Sequence, residues 1–373
     1  MDDKIDENDI AYVEGVIKGT NAATNLSDAD YNGKVDENDT AQIKLILAGD
    51  EKKLTIIDNA NRIVTINMPV ERFIPLNHRS PQVMLALGAR DKIVGVDTLV
   101  TTAMPEFGLK GLPEVSRHGK ELDYENILKL KTDLIVMTTS DQISENADKL
   151  PNVAVIDLSC MDRATLTSDL KTIGYVLGKQ KEADEIIEWV QKYENIVEER
   201  TENLTLEEMP RFLLLSFMTK GQYGIRATTP SSSRGLVAEN CGGRNIATEL
   251  IGSEVEIDPE WVIRENPDVI FITPMENNIT GVGKTEEDLK GFLTQTIDNF
   301  PEFKNVNAVK NNRVYLLDFN LFGPRWIIGN CYYAKWLNPD RFKDIHPDEL
   351  HKEYFLKFHN MEVEGTWAYP PPE

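Results

Sequence analysis

One stretch, residues 181–202 (KEADEIIEWVQKYENIVEERTE), constrains the fold more than any other. Its apolar residues Ile186, Ile187, Val190, Tyr193, Ile196 and Val197 recur at helical spacing, with acids and lysines between them. No glycine or proline interrupts it, and Gly178 marks where a preceding helix stops. At the rise of an α-helix it would run roughly 33 Å. On either side lie short Val/Ile/Leu runs that end in glycine, proline or polar loops and alternate with helical segments. A long helix between two such halves predicts two lobes on a stiff spine; the plainer alternative is a surface helix inside one large domain.

Before those halves the chain repeats itself. DDKIDENDIAYVEGVIKG and NGKVDENDTAQIKLILAG are one sentence written twice, thirty residues apart. In the second copy Asp28, Asp30, Asn32, Asp36 and Asp39 supply side-chain oxygens at loop positions 1, 3, 5, 9 and 12. Lys34 offers its backbone carbonyl at position 7, and Gly33 makes the turn at position 6. Oxygens in that number suit a hard cation, so the expected resident ion is Ca2+. Asp39 stands where ordinary EF-hands carry Glu, and in this the loop resembles the dockerin-type calcium repeat, which implies a cohesin-like partner. The first copy keeps only Asp2, Asp6 and Asp9, an incomplete site. The alternative is a chance acidic loop.

The expected fold is therefore α/β: two doubly wound, Rossmann-like lobes joined by a long helix, with a small all-α calcium-binding module in front. Boundaries are set at 1–53 for the repeats, 54–180 for the first lobe, 181–204 for the linking helix and 205–373 for the second lobe. Within the lobes, LTIIDNANRIVTINMP reads as a β-hairpin, while ERFIPLN, TDLIVMTT, VAVIDL, RFLLLSF, DVIFITP and RVYLLDF read as strands between helices. The closing TWAYPPPE reads as an extended surface flap or linker.

Charge narrows the partners. Forty Lys and Arg against 62 Asp and Glu give a net charge of −22, which argues against nucleic acid and against an anionic membrane surface. Cys160, Cys241 and Cys331 are too few and scattered for a disulfide framework or a zinc site. No apolar run approaches a membrane span.

Four strings carry a resemblance: RIVTINMPVERFIPLN, MLALGARDKIVGVD, LDYENILKLKTDLIV and EIDPEWVIRENPDVIFITP. Over residues 54–358 the chain resembles the substrate-binding proteins of ABC importers for siderophores, cobalamin and haem. The resemblance implies two α/β lobes on one long helix, an extracytoplasmic and membrane-tethered monomer, and delivery of a small-molecule cargo to an ABC permease. It also implies one glutamate per lobe that meets permease arginines. Glu125 and Glu260 hold those places, each shortly before a strand; as acids early in a helix they also suit the macrodipole.

For the cargo, open α/β sheets form their crevices past the carboxyl ends of the strands. Arg79, Arg117, Arg226 and Arg325 fall there or in nearby loops, with His118, Tyr223 and Trp326 beside them and Phe322 close by. Guanidinium groups grip carboxylate or catecholate oxygens and stack on aromatic faces, so the expected cargo is an anionic iron chelate. His78 and His118 are candidate metal ligands, and Tyr223 a candidate wall or phenolate. Singly, each arginine is as well explained by a neighbouring carboxylate. Corrinoid or haem is the alternative within the class, and a calcium-dependent adhesion or scaffold protein the alternative outside it.

Enzyme patterns fail. The run from Asn278 to Thr285 imitates a phosphate loop but lacks its first glycine. His346 and His351 lie five apart without a zincin pattern, and no G-x-S-x-G occurs. Ser231, Ser232 and Ser233 read as a helix cap with spare hydroxyls, ligand contact being the alternative.

Overall fold

The computed structural model describes residues 5–76, 80–117, 121–138, 140–160, 163–219, 224–274 and 279–371. The chain divides into two compact units, residues 1–160 with 165–184, and residues 161–164 with 185–373.

The first unit opens with two short helices, α1 (Glu7–Ile17) and α2 (Glu37–Ala48). Each begins at an aspartate whose carboxylate caps the first turn, Asp6 and Asp36, and each capping box is closed by a second aspartate, Asp9 and Asp39. The repeat in sequence is thus a repeat in structure. The expected hairpin follows as β1 (Lys53–Ile57) and β2 (Ile63–Asn67), antiparallel with Ile57 opposite Ile63. Asp58 builds its turn by accepting hydrogen bonds from the Ala60 and Arg62 backbone N–H groups at 3.1 and 2.9 Å.

Next come β3 (Phe73–Pro75), α3 (Ser80–Ala86), β4 (Val96–Asp97), α4 (Thr98–Ala103), β5 (Glu114–Arg117), β6 (Glu121–Leu122), α5 (Tyr124–Lys129), β7 (Leu134–Met137), α6 (Ser140–Lys149) and β8 (Ala154–Asp157). Strands β3, β7 and β8 form one parallel sheet, while β4, β5 and β6 form a second, mixed one. Ile74, Ile135, Met137 and Val155 are buried in the core between these sheets and their helices.

Helix α7 (Arg163–Leu177) turns at Gly178 into α8 (Gln180–Thr201), the long helix expected from the sequence. Gly174 lets the two meet: a Cβ there would stand 2.9 Å from the Ala183 Cβ. Along α8 the buried residues Ile186, Trp189, Val190, Tyr193 and Val197 follow the helical period.

The second unit continues with β9 (Arg211–Met218), β10 (Ile225–Thr228), α9 (Ser233–Glu239), β11 (Arg244–Asn245), β12 (Glu254–Ile257), α10 (Pro259–Glu265), β13 (Val269–Ile272), β14 (Gly281–Val282), α11 (Glu286–Asp298), α12 (Asn307–Lys310), β15 (Val314–Leu317), α13 (Trp326–Leu337), α14 (Pro347–His359), β16 (Gly365–Thr366) and β17 (Ala368–Tyr369). Its main sheet runs β12-β10-β9-β13-β15-β17, with β11 beside β9. Parallel winding holds for β9, β13 and β15, but the flanks are antiparallel. The link from β9 to β10 is too short for a crossover helix, so β10 must fold straight back.

Every residue of α13 is buried; Tyr333 and Trp336 pack on Phe271 of the sheet, with ring centroids 4.7 and 6.0 Å away. Helix α14 covers α8, where Trp189 meets Tyr354 and Phe358 and donates from Nε1 to Glu353 at 2.8 Å. The closing segment is no loose flap: β16 pairs with β14 and β17 with β15, and Trp367 is buried edge-on against His351 at 4.4 Å. All three cysteines are free and buried. Among the described residues no helix is long and apolar enough to cross a membrane.

Candidate functional site

The aspartate loop before α2 gathers its oxygens. One carboxylate oxygen from each of Asp28, Asp30 and Asp39 lies within 4.8 Å of the others. Backbone donors hold the loop around them. Asp28 accepts from Asn32 N at 3.0 Å and Gly33 N at 2.8 Å, and Asn32 Oδ1 accepts from Lys34 N at 3.0 Å. Asp39 accepts from Asp30 N at 3.2 Å and Asp36 N at 2.8 Å, and is fully buried. Asp36 Oδ1 accepts from Asn38 N at 2.8 Å and so caps α2. Gly33 has φ 88°, a conformation that glycine adopts without strain. Burial and the Asp28 charge push the Tyr31 phenol pKa up. Three converging carboxylates repel one another unless a cation lies among them, so the residues present fit a hard divalent ion.

In the second unit the parallel strands end beside a cluster of charge and aromatic rings. Arg226 projects from β10, half-buried and opposite Glu256 of β12, and its buried Nε has no hydrogen-bond partner. Arg234, in the first turn of α9, forms an ion pair with Glu254, whose other oxygen accepts from Ser216 Oγ at 3.1 Å. The Arg234 guanidinium lies 5.0 Å from the Phe319 ring and 5.9 Å from the Phe322 ring, past the carboxyl end of β15. Its Nη1 is buried and unpartnered, and burial pulls its pKa below the usual arginine value. Ser232 caps α9 as expected, accepting from Gly235 N at 3.1 Å.

Of the remaining expected residues, Arg325, Trp326 and Arg117 are described. Arg325 is 1 % exposed and sits in the core of the second unit, with Nη1 2.9 Å from His351 Nε2 and the guanidinium 5.2 Å from the Phe355 ring. Beside an arginine and out of water, His351 has its pKa pushed well below the usual value and stays neutral. Trp326 is buried next to it in sequence, with the Arg163 guanidinium 4.9 Å from its ring. Arg117 is an exposed residue of β5 in the first unit. His78, Arg79, His118, Tyr223 and Asn278 lie outside the described residues.

The model of the periplasmic binding protein family matches residues 74–321, about two thirds of the chain. The chain belongs to this family. Periplasmic binding proteins of this kind are the substrate-binding parts of ABC transporters, acting outside the cytoplasm, and are transport proteins rather than enzymes. Among the relatives of this binding protein is the molybdate-binding protein MolA of Haemophilus influenzae, 23% identical over 82% of this chain and 90% of that one. Another is the petrobactin-binding protein YclQ of Bacillus subtilis, 27% identical over 53% of this chain and 59% of that one. The TroA-like periplasmic binding protein FepB of Veillonella parvula has the same fold, with a TM-score of 0.74 at 24% identity, over 84% of this chain and 98% of that one.

In this binding protein Glu125 and Glu260 occupy equivalent local positions, each exposed in the first turn of a helix capped by an aspartate, Asp123 and Asp258. Glu125 makes an ion pair with Lys129 at 2.7 Å. Arg234 was not singled out as a binding residue from the sequence, where the serine run before it read first as a cap and second as a ligand contact. The signal that would have found it is its position one turn behind a strand end, with Phe319 and Phe322 following another.

Proposed function

We propose that this periplasmic binding protein captures an anionic metal chelate of the ferric siderophore class and hands it to an ABC permease. The observation that carries the reading is a buried guanidinium donor without an acceptor, Arg234 Nη1, beside the Phe319 and Phe322 rings, with Arg226 Nε of β10 a second such donor. A buried N–H without a partner is costly, and an acceptor oxygen on a planar catecholate or carboxylate arm would satisfy it while stacking on the rings. The petrobactin-binding relative supports this cargo class. A compact oxyanion is the second reading, favoured by the molybdate-binding relative that matches along most of both chains.

Glu125 and Glu260 are proposed to meet cationic residues of the permease, both being exposed carboxylates at helix starts, with Glu125 exchanging its surface pairing with Lys129. Tethering of the full-length protein to the membrane belongs to the same proposal. Ca2+ is proposed as the resident ion of the loop, held by Asp28, Asp30, Asn32, the Lys34 carbonyl, Asp36 and Asp39; when bound it would supply the counter-charge that fixes the loop. A cohesin-like partner for this segment remains part of the proposal, and capture of a cohesin on immobilised protein would test it.

Quenching of tryptophan fluorescence tests the cargo. A ferric catecholate siderophore is expected to quench, and Arg226→Ala and Arg234→Ala to weaken its binding at least about tenfold each. Arg79→Ala and Arg117→Ala test the first-unit expectation in the same titration. Quenching by molybdate alone would favour the second reading, and by haem or cobalamin alone the corrinoid or porphyrin class. No response to any of them would overturn chelate capture and leave the calcium segment as the working part. Glu125→Ala and Glu260→Ala should lower uptake in cells without changing affinity.

A further inference from the structure

The second unit holds a recess of about 390 Å³, well supplied with acid. Glu194 and Glu198 of α8 line one side, four residues apart on one helix face with a rise of ~6 Å between them, and Glu202 follows just past the helix end, its N–H donating to Glu198 O at 2.8 Å. Glu239, the last residue of α9, and Asn330 of α13 line it as well. One cation answers these four carboxylates: Arg163 donates to Glu194 Oε1 from Nε at 3.1 Å and Nη2 at 2.6 Å. Glu198, Glu202 and Glu239 have no ion-pair partner among the described residues.

A row of acids on a helix is ordinarily a solvated face, and by itself would say nothing. Asn330 changes the reading. It is 2 % exposed, lines the recess, and its Oδ1 makes no hydrogen bond. A buried amide oxygen left without a donor is costly, so the recess calls for an N–H as well as positive charge. Glu239 is half-buried, and that burial raises its pKa, the mark of a carboxylate short of counter-charge.

A single metal ion does not meet these demands. Among the described residues the only acidic groups converging closely enough to share an ion are Asp28, Asp30 and Asp39. Charge spread along a helix is matched by charge spread along a ligand. We propose that this recess binds a short aliphatic diamine, one ammonium held among the α8 carboxylates and the other by Glu239 and Asn330 Oδ1. The site is independent of the chelate reading, since it uses none of Arg226, Arg234, Phe319 or Phe322.

Isothermal titration calorimetry of the full chain with 1,4-diaminobutane tests it. The diamine is expected to bind at one site, with 1-aminobutane weaker by at least about tenfold. Glu202→Gln and Glu239→Gln should each weaken the diamine by at least about tenfold, and both should show an unchanged circular dichroism spectrum. Asn330→Asp adds charge without changing shape and should tighten it. No heat with the diamine, equal affinity for the monoamine, indifference to both glutamate variants, or tighter binding of Mg2+ at the same residues would each overturn the proposal.

Discussion

Asp157, at the end of β8, is a carboxyl whose charge the fold disfavours. It is buried, its backbone N–H already donates to Asp58 Oδ2 at 3.1 Å, and Asp169 lies near. Burial first and then the Asp58 charge push its pKa up to about 6, against the pull of Arg62. A carboxyl raised above its unfolded value lends stability while protonated, below about pH 4, and that contribution is lost as pH rises through about 6. Asp157→Asn should therefore stabilise the protein by about 1–3 kcal/mol at about pH 7.5 and by little at about pH 4, read as the difference in thermal midpoint. Nothing in VAVIDL announces this, because an aspartate after a strand reads equally as a turn residue. Arg325 was similarly opaque. Its place after RVYLLDF suggested a crevice, whereas α13 is buried on all sides and carries its first residues into the core. Asp28, Asp30 and Asp39 were legible because a loop with fixed spacing writes its geometry into its sequence.

At the scale of elements, α8 was legible in outline and incomplete in its anchor. Its period was read from Ile186, Val190, Tyr193 and Val197, yet the residue that fastens α14 is Trp189, 5 % exposed and in contact with Tyr354 and Phe358. Trp189→Ala removes a large ring from a packed seam and leaves Glu353 without its donor, so a loss of about 3–5 kcal/mol is expected in the urea midpoint. Trp189→Phe, which keeps most of the ring volume, should recover more than half of it. The hydrophobic strands β9, β13 and β15 were also plain from sequence. Short pairing strands such as β12, β14 and β16 were not, because two to four residues carry no period, and only a neighbour defines them as strands.

At the scale of the molecule, family membership was legible because strings such as MLALGARDKIVGVD recur with the fold, while the cargo was not, because relatives on this fold hold different ligands. The calcium segment falls in the same compact unit as the first α/β sheets, with Ile5 N donating to Tyr175 Oη of α7 at 3.3 Å. An ion bound there should consequently report in the unfolding of the whole unit. At about one hundred times its dissociation constant, calcium is expected to add about 2.7 kcal/mol and raise the thermal midpoint. Asp28→Asn keeps an oxygen for the loop's N–H groups and removes the charge, so the shift should vanish; a shift that persists, or none with the unaltered chain, would show the loop binds no calcium.

The short strand β17 has a consequence for handling the protein. It occupies the free side of β15, and Asp318 N donates to Trp367 O at 2.7 Å just beyond the pairing. Trimming the chain before Gly365 would strip that hem and bare a row of backbone donors and acceptors on an apolar strand, together with the ring face of His351. Shortened versions should stick to one another through this seam, so a reporter dye or affinity handle belongs elsewhere than on a clipped tail.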